Sequence, residues 1–251
     1  MKLSSSIMAH PDRTDQVREL IMELGAVPIA WDKEGPPSGN GDRVWRNARR
    51  AWEMFDESAD WHVLLQDDAV VSGDFLAGLS AALEHVPQDA VVSPYLGMGG
   101  MVPARWLVMA AKADAVGASF VRANKLLWGV CIAVPTRLIP AMISDVDRLH
   151  RVPDDMRVSG WFERRGADCW YTWPSLVDHR NVPSLTKHRA KDRRAHRHHL
   201  GSALELEWDG QIVTDPMITR RKGARSGPSG NRRVMSTLTR DSGSGKAGNR
   251  A

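Results

Sequence analysis

Over the first 93 residues short apolar runs alternate with amphipathic stretches, and this constrains the fold more than any other feature of the chain. Leu3–Ala9 reads as a strand, and the next stretch places Val17, Leu20, Ile21 and Leu24 on one helical face. Asp12 or Thr14 can cap that helix and Gly25 stops it. Ala26–Trp31 reads as a second strand ending at Asp32. A helix is expected from about Arg43 to Asp56, with Val44, Ala48, Trp52 and Phe55 inward. A third strand runs through Val63-Leu64-Leu65, and a helix follows from Asp74 to Val86 with Phe75, Leu76, Leu79 and Leu83 inward. Ala90–Ser93 closes the series as a short strand. Parallel strands need crossovers long enough to hold a helix, so this order predicts an α/β fold: a Rossmann-like domain with a mostly parallel sheet flanked by helices.

The second half is less regular. Gly97-Met98-Gly99-Gly100 and the stretch from Gly35 to Gly41 read as mobile loops. Lys125–Val134 reads as a strand, Pro135 opens a helix to about Ile143, a short helix spans Met156 to Arg165, and Asp168–Trp173 reads as a strand. Charge then divides the chain. Residues 187–251 carry 15 Lys/Arg against 6 Asp/Glu, so the first 186 residues are net negative although the whole chain is +4. The expected organisation is a catalytic domain over 1–186, a basic extension over 187–215, and a disordered tail over 216–251, where Gly, Ser, Arg and Lys dominate.

Several function classes are disfavoured at this level. No run approaches 18 apolar residues, so no membrane span is expected. The first residues do not read as a signal peptide, which places the protein in the cytoplasm with Cys131 and Cys169 as reduced core residues. No cysteine cluster would hold zinc. No G-x-G-x-x-G follows the first strand and no G-x-x-x-x-G-K-[ST] occurs, so the two commonest nucleotide loops are missing.

The chemistry concentrates at Trp61–Val71, W-H-V-L-L-Q-D-D-A-V-V, where a buried strand stops at Asp67 and Asp68. Carboxylates are the hard ligands that Mg²⁺ or Mn²⁺ takes, and open α/β sheets bind ligands at the carboxyl ends of their strands. An ordinary strand-to-helix turn, with Asp as a cap, is the competing reading. The end of the first strand is a natural nucleotide cradle, where His10 and Arg13 could touch ribose or diphosphate. Arg46 and Arg49 lie one turn apart and could present one helix face to phosphate, although a solvated face is the commoner outcome.

Taken in order, these landmarks resemble a GT-A type glycosyltransferase, and more narrowly the small enzymes of this kind found in bacteria and their phages. The matching pieces are S-I-M-A-H-P-D-R, R-V-W-R-N-A-R-R-A-W, L-L-Q-D-D-A-V, W-G-V-C-I-A-V-P, P-D-D-M-R-V-S-G-W-F and P-S-L-V-D-H-R, spread over residues 1–186. The departure is Gln66-Asp67-Asp68, where the family usually has Asp-x-Asp or Glu-Asp-Asp. The resemblance implies transfer of a sugar from a nucleotide-sugar donor to a hydroxyl on a protein or glycan, in the host cytoplasm if the gene is a phage's. It implies that Asp68, with Asp67, holds Mn²⁺ or Mg²⁺ on the donor diphosphate and that His179 completes the ligand set. It places Asp32 on the base or ribose. It matches Asp154 and Asp155 to the acidic motif whose carboxylate deprotonates the acceptor, with Asp155 favoured because an Asp after Pro153 is also a favoured helix cap. Trp128, Trp161, Trp170 and Trp173 are candidates for an acceptor platform, Trp161 first among them.

Two other functions fit parts of the chain. A metal-dependent nucleotidyl or phosphoryl transferase also uses paired Asp on a sheet. A nucleic-acid-binding protein, or one held to an acidic surface, would use the basic runs Lys187–His199 and Arg220–Arg225.

Overall fold

A computed structural model of the chain describes residues 1–34, 41–98, 102, 104–182 and 193–218. The elements in chain order are β1 (Leu3–Ala9), α1 (Thr14–Leu24), β2 (Ile29–Trp31), α2 (Gly41–Trp52), β3 (Trp61–Gln66), β4 (Ala69–Val71), α3 (Phe75–Leu83), β5 (Val91–Ser93), α4 (Ala104–Ala115), β6 (Ala118–Ala123), β7 (Cys131–Pro135), α5 (Ile139–Val146), α6 (Asp154–Arg165), β8 (Cys169–Thr172), β9 (Val177–His179) and β10 (Gln211–Thr214). Eight strands form one sheet in the order β10-β6-β8-β5-β7-β3-β1-β2, and β4 pairs with β9 in a separate ribbon.

The half built from residues 1–93 follows the expectation. β1 pairs in parallel with both β2 and β3, as their helical crossovers require. Parallel pairing recurs between β5 and β8 and between β6 and β10, while β7 runs antiparallel to both β3 and β5 and β6 antiparallel to β8. The sheet is therefore mixed with a parallel majority, and helices cover both faces. Trp61, Val63 and Leu65 of β3 face one core with Val17 and Leu20 of α1 and Phe75 and Leu79 of α3. Leu64 faces the other, with Trp45 and Trp52 of α2, Trp106 of α4 and Trp161 of α6. The alternation of side chains along the strand feeds both cores at once, which is why β3 reads as a nearly unbroken apolar run.

His62 is the one polar residue inside that run, and it is fully buried. Its Nδ1 lies 2.8 Å from Ser4 Oγ and its Nε2 3.0 Å from Ser6 Oγ, while Ser6 Oγ donates to the Ala51 carbonyl at 2.9 Å. Ser6 thus accepts from Nε2–H and Ser4 donates to Nδ1, a pattern that suits the neutral ring. Burial pushes its pKa down from 6.5 to about 4. The unfolded chain takes up the proton near pH 6.5 and the folded chain only near pH 4, so stability falls as pH drops between these values. The shift corresponds to about 3 kcal/mol lost by pH 4. Urea midpoints measured from pH 7 to 4 should show this slope, and His62→Gln should flatten it.

Three features depart from the sequence expectation. The strand expected over 125–134 starts only at Cys131, and β6 and α4 arise where no element was expected. α2 buries Arg43, Trp45, Asn47, Ala48, Ala51 and Trp52, and ends before Phe55. The folded body also continues past residue 186. Residues 193–206 lie as a strap across the protein: His196 N–H donates to Leu96 O, Ser175 N–H to Arg197 O, and Gly73 N–H to Gly201 O. Ala203 seats against Gly78, where an added Cβ would fall 2.3 Å from the Ala203 Cβ. β10 then completes the sheet edge, anchored by the fully buried Asp215, which accepts from Arg105 Nε at 3.0 Å and Trp106 Nε1 at 3.2 Å. A basic composition hid a segment held down by backbone hydrogen bonds and by a few widely spaced apolar side chains, Ala195, Ala203, Trp208 and Val213. A deletion aimed at the tail must begin after residue 218. Arg220–Arg225, the part of 187–199 before Arg193, and residues 35–40 and 99–100 of the two loops lie outside the described residues.

Among the described residues no helix is long and apolar enough to cross a membrane. Cys131 and Cys169 are buried free thiols.

Candidate functional site

The acidic pair sits where β1 and β3 end side by side. Asp67 N–H donates to Met8 O at 3.1 Å, which carries the ladder one residue past β3 and sets Asp67 next to the turn after β1. There His10 N–H donates to Asp67 Oδ2 at 2.6 Å. Arg13, on the single 3-10 turn of Pro11–Arg13, reaches back so that Nη1 lies 2.7 Å from Asp67 Oδ1 and 2.5 Å from Asp68 Oδ2. β4 follows Asp68 immediately and pairs antiparallel with β9, with Ala69 opposite His179. That register brings His179 Nε2 to 3.3 Å from Asp68 Oδ2. Asp178 turns the other way and accepts from the His179 and Ala195 backbone N–H groups, which ties the strap to β9.

All four side chains at this junction are buried. Burial alone would raise the Asp68 carboxyl, but the His179 hydrogen bond and the charges of His179 and Arg13 outweigh it and hold it at about 2. Asp67 goes the other way: burial raises it and the Asp68 charge adds to that, against Arg13 and the His10 N–H. Arg13 is raised although burial opposes it, because Asp68 and Asp67 both favour its charge.

Across the sheet edge lies a second carboxylate pair. Gln66 N–H donates to Val130 O at 2.9 Å, so β7 enters the sheet beside Gln66 with Gly129 just before it. Gln66 Nε2 then donates to Asp154 Oδ2 at 3.3 Å. A Cβ on Gly129 would fall 2.9 Å from Gln66 Nε2 and 3.1 Å from Asp154 Oδ2, so glycine leaves room for the ends of these two side chains. Asp154 and Asp155 form the first turn of α6. Asp154 is buried and raised by burial, with Gln66 and Arg157 opposing. Asp155 is half-buried, and burial first, then the Asp154 charge, push it up to about 7. Its Oδ1 accepts from the Met156 N–H at 2.7 Å.

The remaining expected residues divide. Asp32 continues the β2 ladder, its N–H donating to Ala9 O at 2.7 Å, and its carboxylate takes Arg43 in a fork of 3.2 and 2.9 Å. Asn47, also on α2, donates to Ala9 O at 3.1 Å and so fixes the end of β1. Arg46 is held by Glu34, and Arg49 by Glu53 and Asp147, so their ion pairs are with these surface carboxylates and not with Asp67 or Asp68. Trp161, Trp170 and Trp173 are core residues. Trp161 donates to Asp145 Oδ2 at 2.9 Å and lies under the Arg165 guanidinium, which leaves no face for a sugar ring. Trp128 keeps partial exposure while packing edge-on against Tyr95 and Trp106. Sequence reasoning missed Arg43, Gly129 and the bridging role of Gln66. Only Gln66 had a signal, its place directly before the acidic pair.

Among the described residues no group of three or more His, Cys, Asp and Glu is arranged to hold a metal ion. The Arg13 guanidinium occupies the space between the two carboxylates instead. The donor set is nevertheless of the right kind for a hard divalent ion, with two carboxylates and one imidazole. Asp68 Oδ1 and His179 Nδ1 are both buried without a hydrogen-bond partner. Buried polar atoms without a partner among the described residues also occur away from this junction, at Thr136 Oγ1 and Thr172 Oγ1 for example. The ligand types suit such an ion, but the arrangement, with Arg13 between the two carboxylates, does not.

No protein-family model and no curated protein matches the chain. Among solved structures it is similar to a Drosophila β1,4-galactosyltransferase 7 mutant in complex with manganese, UDP-Gal and xylobiose. The identity is 10%, over 78% of this chain and 71% of that one, and the TM-score is 0.38.

Proposed function

We propose that the chain is a glycosyltransferase that moves a sugar from a nucleoside-diphosphate donor to a hydroxyl acceptor on a glycan or protein. One observation carries the reading. Two carboxylate pairs flank Gln66 on the same sheet edge, and one member of each is driven the opposite way from the other, Asp68 down to about 2 and Asp155 up to about 7. Titratable groups driven apart in this way mark an acid–base division of labour.

In this reading Asp67, Asp68 and His179 would supply the ligands for Mn²⁺ or Mg²⁺, which would neutralise charge on the leaving diphosphate. Arg13 and the backbone at His10 bind the diphosphate beside it, and Asp32, oriented by Arg43, receives the ribose or base. The acceptor oxygen attacks the anomeric carbon. The bond from that carbon to the diphosphate oxygen breaks, and the nucleoside diphosphate leaves with the electron pair. The acceptor proton passes to Asp155. A carboxylate near 7 suits this step, since about half of it is deprotonated at neutral pH and it is basic enough to take the proton. Asp154 keeps Asp155 basic by its adjacent charge, and Gln66 holds Asp154 in place.

Incubation with UDP-, GDP- and dTDP-sugars and MnCl₂ tests the proposal through the products released. Free sugar with nucleoside diphosphate is expected, since water substitutes for an absent acceptor. Nucleoside monophosphate would instead indicate nucleotidyl or phosphoryl transfer. No product from any donor would count against both.

A further inference from the structure

Arg157 of α6 is only 1% exposed, and it spends its whole guanidinium around the chain just ahead of the Asp154–Asp155 pair. Nε donates to Val152 O at 2.8 Å, Nη1 to Val146 O at 2.9 Å and Nη2 to Asp42 Oδ1 at 2.6 Å, while Cζ lies 5.2 Å from the Trp45 ring centroid. Asp42 Oδ1 also accepts from the Arg151 N–H at 2.7 Å. Arg151 has a φ of 57°, the left-handed region that a residue with a Cβ rarely adopts, so this turn is held by its partners rather than by its own preference. Gly41 lets the start of α2 close onto the same stretch: a Cβ there would fall 2.9 Å from both the carbonyl carbon and the carbonyl oxygen of Val152, which are backbone atoms and not the end of a movable side chain. The same helix grips the sheet. Arg43 pairs with Asp32 after β2, and Asn47 donates to Ala9 O at the end of β1. α2 thus joins the ends of β1 and β2 to the connector that delivers Asp154 and Asp155. An apolar side chain could fill the Arg157 site with no loss of stability. What the guanidinium adds is three directed bonds onto one connector.

We infer that Arg157 and Asp42 are positioning residues: they lock the 147–153 connector and the first turn of α6 onto α2, and so fix where Asp155 stands relative to the ends of β1 and β2. The inference deepens the proposed function and rests on its assignment of Asp155 as the base. The two residues act through the backbone that leads into Asp154, where the Arg157 N–H itself donates to Pro153 O at 3.0 Å. The rest of α6 is docked by Val158, Trp161 and Phe162 in the core, so loosening its first turn leaves the helix in place. Proton transfer depends steeply on placement, and a shift of about 1 Å can cost about 10²-fold in rate.

Nucleotide-sugar turnover by Asp42→Asn, Asp155→Asn and the double variant tests it. Asp42→Asn keeps an acceptor for the Arg151 N–H but removes the charge that holds Arg157. Its kcat per folded molecule should fall about tenfold, with the donor KM within about twofold of wild type. In the Asp155→Asn background the same change should cost nothing further, because a residue that only places the base has no effect once the base is gone. Hydrogen exchange should quicken at the Arg151 and Arg157 amides, which donate to Asp42 Oδ1 and Pro153 O, and stay unchanged in β3. If Asp42→Asn does not fold, Arg157→Lys takes its place: the ammonium keeps the charge but not the planar fork that reaches three acceptors, so the same losses are expected. Wild-type kcat in the variant, unchanged exchange at these amides, or an equal fractional loss with and without Asp155 would overturn the inference and leave sugar transfer standing. Asp155→Asn turning over donor at the wild-type rate would remove the base, and the positioning role with it. No turnover of any donor by the wild type would sink the glycosyltransferase reading itself and this inference with it.

Discussion

Asp155→Asn is expected to slow sugar transfer by about 10²- to 10⁴-fold, the usual span for removing a general base, while leaving donor binding intact. The carboxylate lies on the first turn of α6, away from the acidic pair at the end of β3, and touches it only through Asp154 and Gln66. The pH profile carries the sharper test. With Asp155 at about 7, the wild-type rate should rise with pH on an acid limb centred there and level off above it. The limb lies on that side because the base works only when deprotonated. Asp154→Asn removes the neighbouring negative charge, so the limb should move to lower pH. In Asp155→Asn it should vanish. Rates and donor affinities over pH 5–9 for the three proteins check this. An unchanged limb in Asp155→Asn would remove that residue from the chemistry.

Asp68→Asn should have a comparable effect through a different step. It removes the one carboxylate at the junction that is held firmly ionised, with His179 and Arg13 both leaning on it. Removing a preorganised charge at a developing anion typically costs about 10²–10³ in kcat. Here donor affinity should also fall, because the same residue serves the diphosphate. A purely structural pair predicts a different pattern: a lowered Tm with normal turnover per folded molecule. Asp67→Asn should be milder in binding, since burial works against its charge while Asp68 is held ionised, and its loss unties the His10 N–H as well. Turnover, donor affinity and Tm measured on the same preparations separate these outcomes.

The sequence made the first half of the fold legible because its physics is local. Strand and helix periods alternate up to Ser93, the helices bury one face each, and β3 reads as a continuous apolar run because both its faces are covered. Asp67 and Asp68 were visible for the same reason, as charges that stop a buried run. His179 was reachable only through the resemblance; nothing local says that β4 and β9 pair and so bring it to Asp68. Arg46 and Arg49 show the converse. Helical spacing puts them on one face correctly, but Glu34, Glu53 and Asp147, distant or unremarkable in sequence, take up their charge. The strap and β10 were read as tail because composition averages over a stretch, whereas these segments are held by backbone hydrogen bonds, the buried Asp215 and a few isolated apolar residues such as Ala203, Trp208 and Val213. Trp161 looked like a sugar platform beside the base, but its indole is fixed in the core between Asp145 and Arg165.

The most direct measurement is calorimetric titration of the wild type and Asp68→Asn with the nucleotide sugar that turns over fastest, in MnCl₂ and again in EDTA. The account predicts binding to the wild type that weakens sharply in EDTA, and little binding to Asp68→Asn in either buffer. Equal binding by both proteins, with or without the metal, would contradict the placement of the donor diphosphate on the acidic pair.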